Sequence, residues 1–302
     1  MLIVPSITPF NADQIDHNAV VRLTHFYLRH HVPALFPLGT TGEFSMLSLG
    51  ERKDALETFV GAAGGQLEII AHIGAASTRE VIALGEHALS LKVRSAAVVT
   101  PYYFYYTQCE LEGFYREVCA ALPTLRIYGY TIAQRTGNTL ELDTLRRLQV
   151  LENFVGIKDS SGNMARLLDL LELPDFEVFA GADSLALPFM QRGGKGLVSG
   201  LGSAIPEIFH AFTQSLESGN RTSQDTLYAL IRRFNALMQG GSRLDYIRIA
   251  LEWRGLEVGP SRAPLPNASG AERDNLMAQL EGFARQAQAV GFPLEQVSPA
   301  RV

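Results

Sequence analysis

"NFVGIKDSSGN", residues 153–163, decides the reading of the whole chain. An apolar run ends in a lysine and passes directly into a loop of small polar residues and glycine. Val155 and Ile157 read as interior strand residues, so Lys158 is expected where the strand emerges. Only four lysines are present, Lys53, Lys92, Lys158 and Lys195, against twenty-two arginines. Few amines compete for a chemical role.

Working outward from this strand, the same pattern recurs to about residue 215: a short β-like run, then an amphipathic stretch of helical length. Runs at 3–8, 34–37, 67–73, 96–100, 125–130, 154–158, 177–181 and 196–199 give eight strands. In the first intervening segment Val20, Leu23, Tyr27 and Leu28 share one helical face. Eight strands separated by helices predict a closed α/β architecture, the (β/α)8 TIM barrel. An open doubly wound sheet is the rival, but no GxGxxG fingerprint follows an early strand. From about Gly219 the alternation stops. Segments 226–238, 244–253 and 271–289 read as helices, with "GPSRAPLP" as a connecting loop. The expected organisation is a barrel over 1–218 carrying the site, and a C-terminal helical region over 219–302 packed against it.

At 302 residues, 47% hydrophobic and 19% charged, the chain can bury a large core as one barrel. The net charge of −5 is spread out and no Lys/Arg tract is present, which argues against nucleic acid as a partner. Cys109 and Cys119 are too few for a disulfide framework or a cysteine-based zinc site. Seven histidines show no HExxH pairing, so no metal is expected. The opening "MLIVPSITPF" lacks a basic lead, and the uncharged stretch 95–109 is too short to span a bilayer. A cytoplasmic protein without membrane contact is expected.

In a barrel of this kind the strand C-termini and the loops after them carry the chemistry. Thr40, Thr41, Tyr103, Tyr130, Lys158 and Gly181 all lie at or just past the ends of proposed strands. An amine attacks a ketone only when unprotonated, and a lysine with pKa about 10.4 is neutral in only ~0.04% of molecules at pH 7. Desolvation at a barrel mouth raises that fraction, and the resulting iminium withdraws electrons from the adjacent carbon. Lys53 faces Glu57 across one helical turn, Lys92 ends a helix, and Lys195 lies in a loop entering the eighth strand. Lys158 is therefore the candidate nucleophile. A lysine whose stem packs while its amine reaches water is the competing reading.

Other loops admit two readings each. "PLGTTGEF", residues 37–44, is either a tight turn or a cradle whose hydroxyls and amides hold a carboxylate. "TPYYFYYT", residues 100–107, is an aromatic satellite core, an oligomer contact or a source of phenols that relay protons. Tyr130 is a satisfied core tyrosine or a proton-transfer group. Arg135 is a surface residue or a bidentate holder of a carboxylate.

Together, "GTTGE", "TPYY", "YTIAQRTG", "GIKDSSG" and "GADSLALPFMQRGGKGLVSG" resemble the dihydrodipicolinate synthase/N-acetylneuraminate lyase family, in order from about Ile7 to Pro206. The resemblance implies a (β/α)8 barrel, commonly tetrameric, acting on 2-keto acids through a lysine Schiff base without a cofactor. It implies that Lys158 forms the imine with pyruvate or another small-molecule 2-keto acid, and that Tyr130 transfers protons beside it. Thr41 would connect Tyr130 to Tyr103, the latter reaching into a neighbouring subunit of a homo-oligomer, tetramer or dimer. Thr40 and Thr41 would grip the keto acid carboxylate. Gly181 and Val198 would line the pocket, and Arg135 would hold a second substrate's carboxylate.

Five positions depart from the family's usual pattern and bear on specificity or regulation. Thr131 and Ala133 replace the family's usual Asn and Pro, and Phe44 stands where lysine-forming synthases carry serine. Ala76 replaces an asparagine common in lysine-regulated members, and Ser184 follows Asp183 where sialic acid lyases place an acidic or amide group. The leading expectation is a dihydrodipicolinate-synthase-like Schiff-base lyase. The alternatives are an aldolase or dehydratase for 2-keto-3-deoxy sugar acids, and a non-catalytic keto acid sensor.

Overall fold

A computed structural model describes residues 1–296. Residues 297–302, the end of the expected C-terminal region, lie outside the described residues. Eight parallel strands close into a barrel: β1 (Leu2–Val4), β2 (Ala34–Leu35), β3 (Glu68–His72), β4 (Ser95–Val99), β5 (Arg126–Thr131), β6 (Phe154–Asp159), β7 (Glu177–Ala180) and β8 (Gly196–Val198). Each pairs with its sequence neighbours and β8 returns to β1, as the TIM-barrel reading requires. The strands match the expected runs, several of them shorter. A small hairpin, Phe10–Asn11 with Gln14–Ile15, was not expected, because two-residue strands carry too little alternation to be legible.

Eight helices surround the barrel: α1 (His17–Arg29), α2 (Leu49–Ala63), α3 (Thr78–Ser90), α4 (Gln108–Ala121), α5 (Leu142–Leu148), α6 (Met164–Leu171), α7 (Ala186–Met190) and α8 (Pro206–Glu217). Several begin on side-chain caps that satisfy otherwise orphaned amides. Ser48 with Glu51 and Thr107 with Glu110 form capping boxes at α2 and α4. Three further helices follow, α9 (Arg221–Leu237), α10 (Leu244–Trp253) and α11 (Gly270–Ala289).

Two apolar layers result. One lies between sheet and helices and includes Val4, Leu35, Ile127, Phe154 and Ile157. The other fills the barrel, with Ile3, Phe36, Ile70, Val99, Tyr128, Tyr130, Phe179 and Val198. Lys158 enters this inner layer through a bulge. Across β5 and β6, Ile127 faces Phe154 but Tyr128 faces Gly156, so Val155 is an extra residue. Without it, strict alternation from Phe154 would send Lys158 outward to the helices. Gly156 is required at this point: a Cβ there would lie 2.2 Å from the Glu177 carbonyl oxygen.

Candidate active site

The register set by the bulge places Lys158 directly beside Tyr130 on one side and Phe179 on the other. Of the four lysines it is the one that is buried, 7% exposed. Its Nζ lies 4.0 Å from the Tyr130 ring centroid and 4.6 Å from that of Phe36. Aromatic faces favour the ammonium form, and the Tyr130 hydroxyl and Asp183 carboxylate act in the same direction. Burial is the larger influence and pushes the amine below the ordinary lysine value. Lys195 instead pairs with Glu177 at 2.8 Å on the opposite end of the barrel. Lys92 is exposed.

The Tyr130 hydroxyl meets Thr40 Oγ1 at 3.0 Å. The link to Tyr130 expected of Thr41 therefore falls to Thr40. Neighbouring residues of a tight turn diverge, and Thr41 sends its hydroxyl across to the Gly200 wall. Both threonines still border the same cleft, with Arg135, Lys158, Gly181 and Val198. Gly181 is needed there, because a Cβ would collide with Ser160 and sit 3.4 Å from Lys158 Cε. Tyr103 is not brought to Tyr130 within the chain. Its left-handed backbone (φ 80°) turns it outward, 86% exposed, with Phe104 and Tyr105 beside it. Asn138 holds this loop, donating from Nδ2 to the carbonyls of Pro101 and Phe104, both at 2.8 Å.

The loop after β5 makes one helical turn, Ala133–Thr136, which carries Arg135 to the cleft. Gln134 Nε2 donates to the Ser160 carbonyl at 2.9 Å, joining this loop to the one after β6. That second loop is shaped by Asp159, which accepts from Ser161 N at 2.9 Å and Arg166 Nε at 2.7 Å.

A family model described as the dihydrodipicolinate synthetase family matches residues 1–282. The chain belongs to that family. It is 32% identical over 281 residues to an uncharacterised DapA-like lyase of Halobacterium salinarum, covering 92% of each chain. It is 34% identical over 264 residues to the 4-hydroxy-tetrahydrodipicolinate synthase of a Hydrogenobaculum species, covering 86% of this chain and 90% of the relative. The crystal structure of dihydrodipicolinate synthase from Aquifex aeolicus superposes with a TM-score of 0.88 at 27% identity, over 97% of this chain and 98% of that one. As a dihydrodipicolinate synthetase family member the protein is a lyase of the Schiff-base, class I aldolase type. Among the described residues no helix is long and apolar enough to cross a membrane, and no cluster of three or more His, Cys, Asp or Glu is placed to hold a metal ion.

In this family member the cleft is about 530 Å³, and much of its outer wall comes from residues the sequence did not single out. Ser160, Ser161 and Gly162 follow β6, while Asn235, Gly240, Gly241 and Ser242 come from the C-terminal region. Gln239, Gly240 and Gly241 all have positive φ, which lets the chain between α9 and α10 turn sharply at the rim. Their proximity to Lys158 is purely tertiary, so no sequence spacing signals it.

Asp183 is also part of the cleft and is buried. Burial lifts its carboxyl to about 7, against the opposing pull of Ser199 and Lys158. The folded state thus binds this proton more tightly than the unfolded state. The corresponding stability is complete below pH ~4 and is lost as pH rises through about 7. Asp183→Asn should accordingly raise Tm at pH 8, with the gain fading as pH is lowered towards 4. Thermal unfolding of both proteins across that range checks this expectation.

Proposed function

We propose that Lys158 forms an imine with pyruvate or a related 2-keto acid, and that the enzyme makes or breaks a bond next to that carbon as a dihydrodipicolinate-synthase-like lyase. One observation carries the reading: a desolvated amine lies over the ring of a tyrosine whose hydroxyl is hydrogen-bonded to Thr40. The neutral amine adds to the ketone carbon, and loss of water gives the iminium. Proton removal from the neighbouring methyl group yields an enamine, which attacks an aldehyde; the reverse sequence releases pyruvate. Tyr130 moves the protons, with Thr40 as its hydrogen-bond partner. Thr40 and Thr41 hold the keto acid carboxylate, while Gly181 and Val198 shape the floor.

Arg135, at the outer side of the cleft, is the holder of a carboxylated aldehyde such as aspartate semialdehyde. Arg135→Met is then expected to raise KM for such an aldehyde ~10–100-fold while changing half-saturation by pyruvate little. Steady-state kinetics with each substrate varied separately check this. The second reading, an aldolase or dehydratase for 2-keto-3-deoxy sugar acids, is favoured by the polar outer wall, where Ser160, Ser161, Ser184, Asn235 and Ser242 suit hydroxylated carbons. A substrate panel run in both directions separates them. Consumption of pyruvate only with aspartate semialdehyde supports the synthase reading, whereas pyruvate release or dehydration from sugar acids supports the second.

The exposed group Tyr103, Phe104 and Tyr105 supports a homo-oligomer, dimer or tetramer, in which Tyr103 approaches a neighbour's site. A cytoplasmic enzyme working without a cofactor completes the proposal.

A further inference from the structure

The stretch carrying Thr40 and Thr41 has no regular secondary structure to hold it, yet its two flanks adopt left-handed backbone at Leu38 (φ 60°) and Glu43 (φ 58°). Such conformations are disfavoured for side-chain-bearing residues and persist where surrounding contacts impose them. On the inner flank His72 Nδ1 donates to the Leu38 carbonyl at 2.8 Å. On the outer flank the side-chain contacts to Glu43 come from one residue of the C-terminal region, Arg248 of α10.

Arg248 is buried, and its guanidinium meets Glu43 Oε1 from Nη2 at 2.6 Å and Nε at 3.2 Å. The same Nη2 donates to the Thr8 carbonyl at 2.8 Å, and Thr8 Oγ1 in turn donates to the Gly42 carbonyl at 2.7 Å. Nη1 reaches the carbonyls of Val258 at 3.0 Å and Gly259 at 3.2 Å. The other carboxylate oxygen of Glu43 accepts the Arg262 backbone amide at 3.0 Å. One planar fork thus ties both Glu43 and the Thr8–Gly42 tether to the helical region, a geometry that a lysine's single nitrogen cannot reproduce.

We propose that Arg248 is a positioning residue for the carboxylate-binding loop: through Glu43 and Thr8 it fixes where Thr40 and Thr41 present their hydroxyls and amides. A helical region lying after the barrel thereby sets the recognition of the keto acid. This rests on the reading that Thr40 and Thr41 hold the substrate carboxylate. Arg248 is not among the residues that line the cleft, and its loss should weaken recognition of the carboxylate selectively while leaving the amine chemistry of Lys158 in place.

The test is reductive trapping with cyanoborohydride, comparing pyruvate with hydroxyacetone, a ketone of similar size without the carboxylate. Arg248→Lys is expected to raise the half-saturating pyruvate concentration about tenfold, with that for hydroxyacetone changed less than about twofold and the saturating yield unchanged. A shift of both ketones alike, or of neither, overturns the proposal. If Arg248→Lys does not fold, Glu43→Gln, which retains an acceptor for Arg248 but removes its charge, carries the same readout and the same refutation. A wild-type enzyme that traps the two ketones equally well instead refutes the carboxylate-gripping reading of Thr40 and Thr41 itself.

Discussion

Lys158→Met should lower turnover by at least ~10⁴-fold and abolish trapping of pyruvate by borohydride. Wild-type protein treated in the same way should gain the mass of one reduced pyruvyl group, on the peptide carrying Lys158. The expectation follows from burial rather than from the presence of an amine alone. Lys53, Lys92 and Lys195 are all more exposed, and Lys195 is held by Glu177, so none can replace the lost nucleophile. The folded structure should gain from the same substitution. A base whose pKa is depressed in the folded state destabilises that state wherever it is charged, so the cost is present at neutral pH and disappears as pH rises above the free-lysine value of 10.5. Methionine fills similar space without that cost, and Tm at pH 7 should rise while catalysis is lost. A label on Lys53, or full turnover in Lys158→Met, would remove Lys158 from the chemistry.

The strand carrying Lys158 is legible in "NFVGIKDSSGN" because an apolar run followed by a polar, glycine-containing loop is a local pattern. Its orientation is not. Val155 and Ile157 look like one face, yet Val155 is the surplus residue of a bulge, and a bulge is defined by counting residues on the partner strand. The choice between Thr40 and Thr41 is hidden for a related reason. Two identical side chains stand side by side, and backbone dihedrals at Leu38 and Glu43, held by His72 and Arg248, decide which one faces Tyr130. Asp183 reads as an ordinary polar residue after a strand. Its raised pKa comes from burial, which a linear sequence does not display. The eight-fold alternation of strand and helix, by contrast, is repeated often enough to make the closed barrel legible.

Tyr130→Phe is expected to reduce kcat ~10²–10⁴-fold while pyruvate still binds with nearly its wild-type half-saturation in equilibrium binding. The ring that Lys158 lies over is retained in phenylalanine, so desolvation of the amine is preserved and only the hydroxyl is withdrawn. Its partner discriminates this role from a packing one. Thr40→Val removes the hydroxyl at 3.0 Å and should cost ~10–100-fold in kcat, because the phenol then lacks its oriented partner. Thr41→Val leaves that contact intact and should act mainly on the half-saturating pyruvate concentration. If the hydroxyls of Tyr130 and Thr40 work as one unit, adding Thr40→Val to Tyr130→Phe should slow the reaction little further, since the second hydroxyl has no remaining phenol to orient. Additive losses in that cycle would mean that the Thr40 hydroxyl contributes to turnover independently of the phenol, and a larger kcat loss in Thr41→Val than in Thr40→Val would return the relay to Thr41.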